Sequence, residues 1–505
     1  MTRSQEIKIA TVLSYFMIGF SMVCGLIYTP WMISIIGKDD YGIYVLVTTF
    51  LTYFTVDFGL FNAINKTISR CRAQNDVLKE QKVIGIATKI YLLMDGFTCF
   101  LLCIIYFFID NIFSNLNPEE LYKFKVVYFI AGVFSVLSFP FNFLKGVYSA
   151  HELFVETKLF DFALKLGTIV LTILFLLLGL GLYSLVFVYG FMPFIINVSK
   201  ACFLHKKGIR GNFIGWDKQI VNEIVGISAW LFLAVIAELC INNISPSILA
   251  ANSTTTQVAI FGIALTLFGY VYSFSGVING MFLPQVTELY VDGKTETVHQ
   301  LCYKVARILL FITGFVAVGF ICVGRDFIMA WVGKDFIDAY YVAILLMVPQ
   351  LFISTINIEY SHLLAADKIN RYSYMIIFTA VITMPLSLLL SKQYGAIGVG
   401  VSIFLSTFFI LFIGIMLVYR RYLKFSIRRY CLKVSNIILA LIVVLGLYYI
   451  AVKEFHIEME GLWKTFALRG IVYVAIFITI IPFVMNNEEK QMISGFIKSK
   501  LIKKQ

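Results

Sequence analysis

Residues 83–109 read VIGIATKIYLLMDGFTCFLLCIIYFFI, an apolar run that contains two ionisable side chains, Lys89 and Asp95. A helix of about 20 apolar residues crosses the ~30 Å hydrocarbon layer of a bilayer. The run is therefore long enough to span a membrane. Its two charges are of interest because an ionisable group inside a span is costly and often functional.

Thirteen further apolar runs of comparable length flank this one along the chain. They occupy residues 9–36, 41–64, 122–147, 158–181, 183–204, 222–250, 256–285, 302–323, 338–363, 372–391, 395–419, 434–452 and 465–485. The composition agrees, since 60% of the residues are hydrophobic, 14% are charged and the mean hydropathy is +0.88. These features predict an all-α polytopic membrane protein with about 14 transmembrane helices.

The lysines and arginines are distributed unevenly between the two predicted faces. With the N-terminus in the cytoplasm, 31 of the 41 lie on the cytoplasmic side and nine lie outside. This positive-inside bias predicts that both termini are cytoplasmic. The net charge of +12 is then a determinant of topology with some attraction to anionic lipid, rather than a nucleic-acid surface.

An internal repeat divides the spans into two sets. Tyr148-Ser149 aligns with Tyr360-Ser361, and Leu182-Tyr183 aligns with Ala396-Ile397, with a span between the two motifs in each copy. Because both copies join spans of like direction, we expect two six-helix bundles related by a pseudo-twofold axis along the membrane normal. The predicted parts are an N-terminal bundle over 1–205, a cytoplasmic linker over 206–221, a C-terminal bundle over 222–420, and two extra transmembrane helices with a cytoplasmic amphipathic tail over 421–505.

The second predicted span carries residues of a known family. Gly42-Ile43-Tyr44 and Asp57-Phe58-Gly59-Leu60, ahead of Asn65-Lys66, resemble the second span of bacterial polysaccharide and O-antigen flippases. The similarity extends over most of 1–420 and places the chain with the multidrug/oligosaccharidyl-lipid/polysaccharide exporter (MOP) superfamily, whose fold is MATE-like.

The resemblance implies a flippase of the bacterial cytoplasmic (inner) membrane. Its substrate would be an undecaprenyl (polyprenyl) pyrophosphate-linked oligosaccharide repeat unit for lipopolysaccharide O-antigen or capsule, moved from the inner to the outer leaflet by alternating access. A proton or sodium gradient or the membrane potential would drive it. The implied partners are membrane lipids and the polysaccharide polymerase machinery, with no cofactor and no nucleic acid.

A carrier of such a substrate needs cations for the pyrophosphate and hydrogen-bonding groups for the glycan. The candidate substrate ligands are Lys145, Lys165, Arg307, Asn142 and Asn243. A competing interpretation is that the long basic side chains extend to the lipid headgroups. Asp161 and Lys165 also lie four residues apart and can simply pair with each other.

Acidic residues inside spans are candidates for coupling transport to an ion. A charge at the centre of a span costs roughly 2.5–3.5 kcal/mol on insertion scales, so each one needs a reason. The candidates are Asp57, Glu238 and Asp95. Each can bind a proton or sodium ion, or contact the glycan. The alternative is a packing role, in which Asp57 is bonded to Asn62 or to a neighbouring hydroxyl.

Two other function classes remain open at this stage. A MATE-like multidrug exporter shares the architecture, but the basic candidates and the fourteen rather than twelve spans argue against an organic-cation substrate. A membrane glycan polymerase or ligase usually carries a large outer loop, whereas the predicted outer loops are all short.

The nine cysteines and five histidines show no zinc-ligand spacing and no catalytic set. We therefore expect a transporter without catalytic residues or a bound metal.

Overall fold

Helices account for all the regular secondary structure that the computed structural model describes. It describes residues 3–52, 60–213, 215–366, 368–487 and 489–490. In lipid the backbone must satisfy its own hydrogen bonds, and a helix does so within one segment. The apolar runs of the sequence accordingly fold as helices.

Ten α-helices and one 3₁₀-helix precede residue 253 in the described ranges. They are α1 Arg3–Ile36, α2 Lys38–Thr52, α3 Leu60–Ala73, α4 Val77–Ile112, α5 Pro118–Ser138, the 3₁₀-helix Phe139–Phe143, α6 Leu144–Ala150, α7 Phe154–Leu177, α8 Gly181–Lys206, α9 Lys218–Asn242 and α10 Ser245–Asn252. Pro140 lies in the 3₁₀-helix, where its missing N–H and fixed φ separate α5 from α6.

Eight more α-helices follow in the described part of the chain. They are α11 Thr255–Val291, α12 Thr295–Trp331, α13 Asp338–Thr355, α14 Asn357–Ala365, α15 Ile369–Leu405, α16 Ile413–Leu423, α17 Ile427–Glu454 and α18 Leu462–Val484. A 3₁₀-helix at Lys334–Phe336 precedes α13, and a π-helix at Ser406–Phe412 joins α15 to α16.

The polytopic all-α prediction is confirmed. Eleven helical stretches of the described residues are long and apolar enough to cross a membrane, or twelve if the bent pair Leu233–Ile241 and Ser245–Asn252 is one span. One of the eleven, Ile369–Leu423, contains both predicted spans 372–391 and 395–419, with non-helical φ and ψ at Gly395 between them. Predicted span 41–64 lies partly outside the described residues. The total of fourteen stays a prediction.

The chain divides into two compact units. Unit 1 comprises Met1–Ile263 and Ser373–Ser406, and unit 2 comprises Ala264–Tyr372 and Thr407–Gln505. Both α11 and α15 therefore contribute residues to each unit. The predicted pseudo-twofold relation and the bundle limits at 205, 222 and 420 stay predictions.

In unit 1, the backbone of the segment after α8 makes one close contact with the backbone of α4. The chain after α8 lies against α4, where the Asn212 N–H donates to the Gln81 carbonyl at 2.8 Å. A Cβ atom placed on Gly85 would lie 1.9 Å from the Asn212 carbonyl oxygen. Only glycine allows the two backbones to approach so closely.

In unit 2, α12 is the central helix, and three tyrosines from the surrounding helices donate to its carbonyl groups. The hydroxyl of Tyr340 on α13 bonds the Ile321 carbonyl at 2.7 Å, that of Tyr448 on α17 bonds Cys322 at 3.0 Å, and that of Tyr473 on α18 bonds Phe315 at 2.6 Å. Each tyrosine thus buries an aromatic ring while its polar end is satisfied.

Arg307 on α12 connects this helix to α17, to the end of α18 and to the residues that follow α18. Its Nε and Nη2 donate to the two carboxylate oxygens of Glu489 at 2.6 and 3.0 Å. Nη1 donates to the Lys433 carbonyl at 2.5 Å and Nη2 to the Val484 carbonyl at 3.0 Å. The side chain of Arg307 is 5% exposed, so its donors are engaged with protein acceptors. In this structure Arg307 fastens α17 and α18 to α12 and also lines a cavity of about 990 Å³, so its role as a phosphate ligand stays a prediction.

Replacing Gly85 with alanine should destabilise unit 1. The added methyl would meet a backbone carbonyl that cannot rotate away, and overpacking of this kind costs about 1–3 kcal/mol. The thermal unfolding of the purified chain in detergent measures the effect. Gly96→Ala on the same helix is the matched control, because no atom lies within 4 Å of its Cβ position. Equal melting temperatures for the two variants would contradict the prediction.

Replacing Arg307 with glutamine should lower the free energy of unfolding by about 3–5 kcal/mol, because the Glu489 carboxylate would remain buried without its partner. The matched control is Arg429→Gln. Its ion pair with Glu296 has side chains 64% and 59% exposed, and such surface pairs contribute about 0–1 kcal/mol. Denaturant unfolding in detergent compares the two variants. If Arg307→Gln lowers the free energy of unfolding no more than Arg429→Gln does, the buried pair is not structural.

Candidate functional site

Unit 1 contains a cavity of about 610 Å³ that is bordered by α1, α3, α6, α7 and α8. The hydroxyl of Tyr148 on α6 donates to the Lys200 carbonyl of α8 at 2.9 Å, which fixes the two helices on either side of it. The Tyr148 ring also packs edge-on against Phe160 and is stacked with Phe203. The cavity thus has a rigid aromatic wall.

The charged lining of this cavity is predominantly positive. Lys145, Lys158 and Lys200 face it together with a single carboxylate, Asp161. Lys200 Nζ lies 3.1 Å from Asp161 Oδ1, and Lys158 Nζ lies 3.9 Å from Oδ2. Lys145 is exposed and has no ion pair or hydrogen bond within the described ranges. One carboxylate therefore opposes three ammonium groups, and the cavity is suited to a polyanion.

Neutral polar and aromatic groups complete the lining. Asn197 and Ser149 offer amide and hydroxyl groups, and Phe61, Phe141 and Phe154 offer aromatic or apolar surface. Sugars are recognised by this combination of hydrogen-bonding side chains and flat apolar faces. The site can therefore accommodate a ligand that is anionic at one end and carries hydroxyl groups beside it.

The predicted substrate ligands of unit 1 have different positions. Lys145 lines the cavity, and Asn142 is half-buried in the 3₁₀-helix just before it. Lys165 lies further along α7, is exposed and does not line the cavity. Asp161 pairs with Lys200 and Lys158 rather than with Lys165. Asn243 is the half-buried C-cap of α9 and also lies outside the lining.

Two of the three acidic candidates lie in the described part of the chain. Asp57 lies outside the described residues. Glu238 is exposed on α9 and does not line the cavity of unit 1. Asp95 on α4 is only 9% exposed, and its Oδ1 has no hydrogen-bond partner among the residues that the structure describes. Of the two described acidic candidates, Asp95 is thus the one that is buried inside a span without a polar partner for this oxygen.

Lys158, Lys200 and Asn197 were not recognised in the sequence. Lys158 and Lys200 stand near span ends, where a basic residue is ordinarily a topology determinant. The i, i+3 spacing of Lys158 and Asp161 could have indicated that both lie on one face of α7. Nothing in the sequence indicates that α8 brings Lys200 to the same face, because that contact joins residues 39 positions apart.

The comparisons with known proteins agree with this architecture. Residues 10–289 match the family model described as polysaccharide biosynthesis protein. No curated protein sequence gives a significant match to the chain.

Three solved structures illustrate the similarity in fold. The lipid II flippase MurJ in an inward closed conformation superposes with a TM-score of 0.70 at 14% identity, covering 94% of this chain and 98% of that one. An inward-facing multidrug resistance MATE transporter of the MOP superfamily gives 0.65 at 14% identity, covering 84% and 99%. The Vibrio cholerae MATE transporter VcmN in its bent form gives 0.54 at 13% identity, covering 85% and 99%.

These matches confirm the family resemblance that Gly42-Ile43-Tyr44 and the Asp57-Phe58-Gly59-Leu60 segment indicated. The structural neighbours, at 14% identity or less, establish the fold of a multi-pass membrane transporter. The sequence match spans more than half of the 505 residues. The chain therefore belongs to the polysaccharide biosynthesis protein family and has the fold of the MOP-superfamily transporters.

Proposed function

We propose that this protein is a flippase of lipid-linked oligosaccharides. It moves a polyprenyl pyrophosphate-linked repeat unit from the inner to the outer leaflet of the bacterial cytoplasmic membrane, where surface-polysaccharide polymerases use it. Both termini are cytoplasmic, in line with the distribution of lysine and arginine. An ion gradient or the membrane potential drives the cycle by alternating access.

The observation that carries the proposal is the cationic cavity of unit 1. A pyrophosphate has no neutral form at physiological pH, so its binding site needs positive charges that are not already neutralised. Lys145 supplies one such ammonium group, while Lys158 and Lys200 share Asp161. Lysine binds phosphate as a point charge and does not require a fixed geometry, which suits a substrate that must be released again.

Asp95 is the candidate for a proton-coupling group. A carboxylate buried in a membrane span without a counter-charge is costly, whereas the neutral acid is not. A group in this setting binds a proton while buried and releases it when the helix meets water. We propose this role for Asp95 because it has the burial and the unsatisfied oxygen that such a cycle needs.

A multidrug exporter is the alternative that the fold also allows, because MATE transporters are among the structural neighbours. Its cargo would be an organic cation. The three lysines that face the cavity would repel such a cargo, so the charge of the cavity favours the polyanionic substrate.

A deletion strain tests the proposed function directly. Loss of the protein should leave complete lipid-linked repeat units on the inner leaflet and remove surface polysaccharide, and the wild-type chain should restore it. Accessibility of the glycan to a membrane-impermeant lectin in oriented vesicles distinguishes the two leaflets. Normal surface glycan combined with new sensitivity to cationic drugs would replace the flippase with the multidrug exporter.

Complementation with Lys145→Ala should lower surface polysaccharide, since a hydrogen bond to a charged group contributes about 1.5–3 kcal/mol, or at least about tenfold in affinity. Lys145→Arg should retain most of the activity. Lys66→Ala is the matched control, because Lys66 is an exposed lysine on α3 outside the cavity. Immunoblots of the membrane fraction establish equal protein levels. Full export by Lys145→Ala would remove the pyrophosphate role of this residue.

Asp95→Asn should abolish the response of flipping to an imposed pH gradient in proteoliposomes, because the amide has the shape of the acid but cannot release a proton. Asp110→Asn is the control on the same helix, since Asp110 is exposed and paired with Lys125 at 2.7 Å. Both variants should fold and reconstitute normally. Proton-driven transport at the wild-type rate in Asp95→Asn would exclude Asp95 as the coupling group.

A further inference from the structure

Unit 2 contains a buried cluster of two histidines and a glutamate. His299 belongs to α12, and Glu359 and His362 belong to α14, where they are three residues apart and share one helix face. His299 Nδ1 lies 2.8 Å from Glu359 Oε1, and His362 Nδ1 lies 3.0 Å from Oε2. The side chains are 6%, 0% and 1% exposed, respectively. No part of the proposed transport cycle uses them.

The backbone beside the cluster determines how His299 is protonated. Its Nε2 lies 3.1 Å from the carbonyl oxygen of Leu423. Leu423 is the last residue of α16, so this carbonyl lacks a partner within the helix and accepts the Nε2 proton. In the neutral ring the Nδ1 atom then carries a lone pair, which points at a carboxylate oxygen 2.8 Å away. Two acceptors cannot stay in contact at that distance, so the pair requires either a proton on Nδ1 or a metal ion bound to both atoms.

A histidine that donates one ring N–H to a backbone carbonyl is arranged as metal-binding histidines usually are. The carbonyl holds the ring orientation and leaves the other nitrogen free for the ion. The ligand atoms of His299, Glu359 and His362 all lie within 4.8 Å of one another. Atoms bound to one tetrahedral zinc ion at about 2.0–2.2 Å lie roughly 3.3–3.6 Å apart, so binding would draw the most distant ligand atoms together by about 1 Å and move the two N···O contacts of 2.8 and 3.0 Å apart by about 0.5 Å.

The cluster also has access to solvent. A cavity of about 330 Å³ is lined by His299 and His362, together with Glu296, Lys368 and Lys424. This cavity would give an ion a path to the two histidines and room for a water molecule as a fourth ligand. Two imidazoles, one carboxylate and one water form a ligand set that suits Zn²⁺.

We propose that His299, Glu359 and His362 bind one divalent transition-metal ion of the zinc class. The ion links α12 to α14 directly and to the end of α16 through Leu423. Its role is structural: it holds together three helices of unit 2 by balancing the charge of Glu359, which is otherwise buried between two rings. The site was not visible in the sequence because His299 and Glu359 are 60 positions apart.

The test uses the full chain in detergent, with any affinity tag removed and metal stripped by a chelator. Equilibrium dialysis against ZnCl₂ followed by elemental analysis should give one Zn²⁺ per chain, and zinc should raise the melting temperature. Mg²⁺ and Ca²⁺ should do neither, because both ions prefer sites made only of oxygen.

Variants locate the ion. Glu359→Gln and His362→Asn retain the approximate shapes of the side chains and should weaken zinc binding by at least about tenfold, with unchanged elution on size exclusion. His456→Ala is the matched control, since His456 is exposed and its Nδ1 already faces the Lys453 carbonyl at 2.8 Å. It should bind zinc as the unaltered chain does.

Three results would overturn the proposal. These are less than one bound ion per chain at saturation, zinc binding in Glu359→Gln equal to that of the His456→Ala control, and a melting temperature that depends on pH but not on zinc. The last result would mean that a proton on His299 supplies the cation that the geometry requires.

Discussion

The structure depends on one constraint, which is that lipid offers no hydrogen-bond partner to a polar group. Many hydroxyls inside the long helices satisfy it locally. Thr168, Thr172, Thr379, Thr383 and Ser402 each donate to the carbonyl four residues earlier, at 2.7 to 2.9 Å. An apolar helix can therefore carry such hydroxyls at little cost. Such residues reveal little about function, whereas a polar group that remains unsatisfied, as at Asp95, is informative.

Charged groups meet the same constraint through partners on other helices. The guanidinium of Arg469 on α18 lies 2.7 Å from Asp326 on α12, and Lys200 of α8 lies 3.1 Å from Asp161 of α7. These pairs fix which helices are neighbours, because a separated partner would be left alone in a medium of low polarity. Lys145 differs from them in having no partner in the described ranges, which is why the proposed substrate site centres on it.

The sequence predicted the features that follow from local composition. The apolar runs determined the helices, and Gly42-Ile43-Tyr44 and the following motif determined the family. The candidate sites were harder to predict from the sequence, because a site joins residues that are distant in the chain. Lys145 and Lys165 look equivalent in the sequence as basic residues near span ends, yet only Lys145 faces the cavity. Lys145 follows the helix break at Pro140, and the sequence does not predict in which direction the chain turns there. Likewise, no pattern in the sequence links Arg307 to Glu489 or His299 to Glu359.

The pairing of Arg307 with Glu489 has a consequence for biogenesis. The two residues are 182 positions apart, and the ribosome adds about 5–20 residues per second. The arginine therefore enters the membrane roughly 10–40 s before its carboxylate is synthesised. During that interval the nascent unit 2 holds a solitary charge, which chaperones or lipid phosphates must shield. Unit 2 completes its packing only after Glu489 has been synthesised, so a stop codon before that position should trap an immature chain.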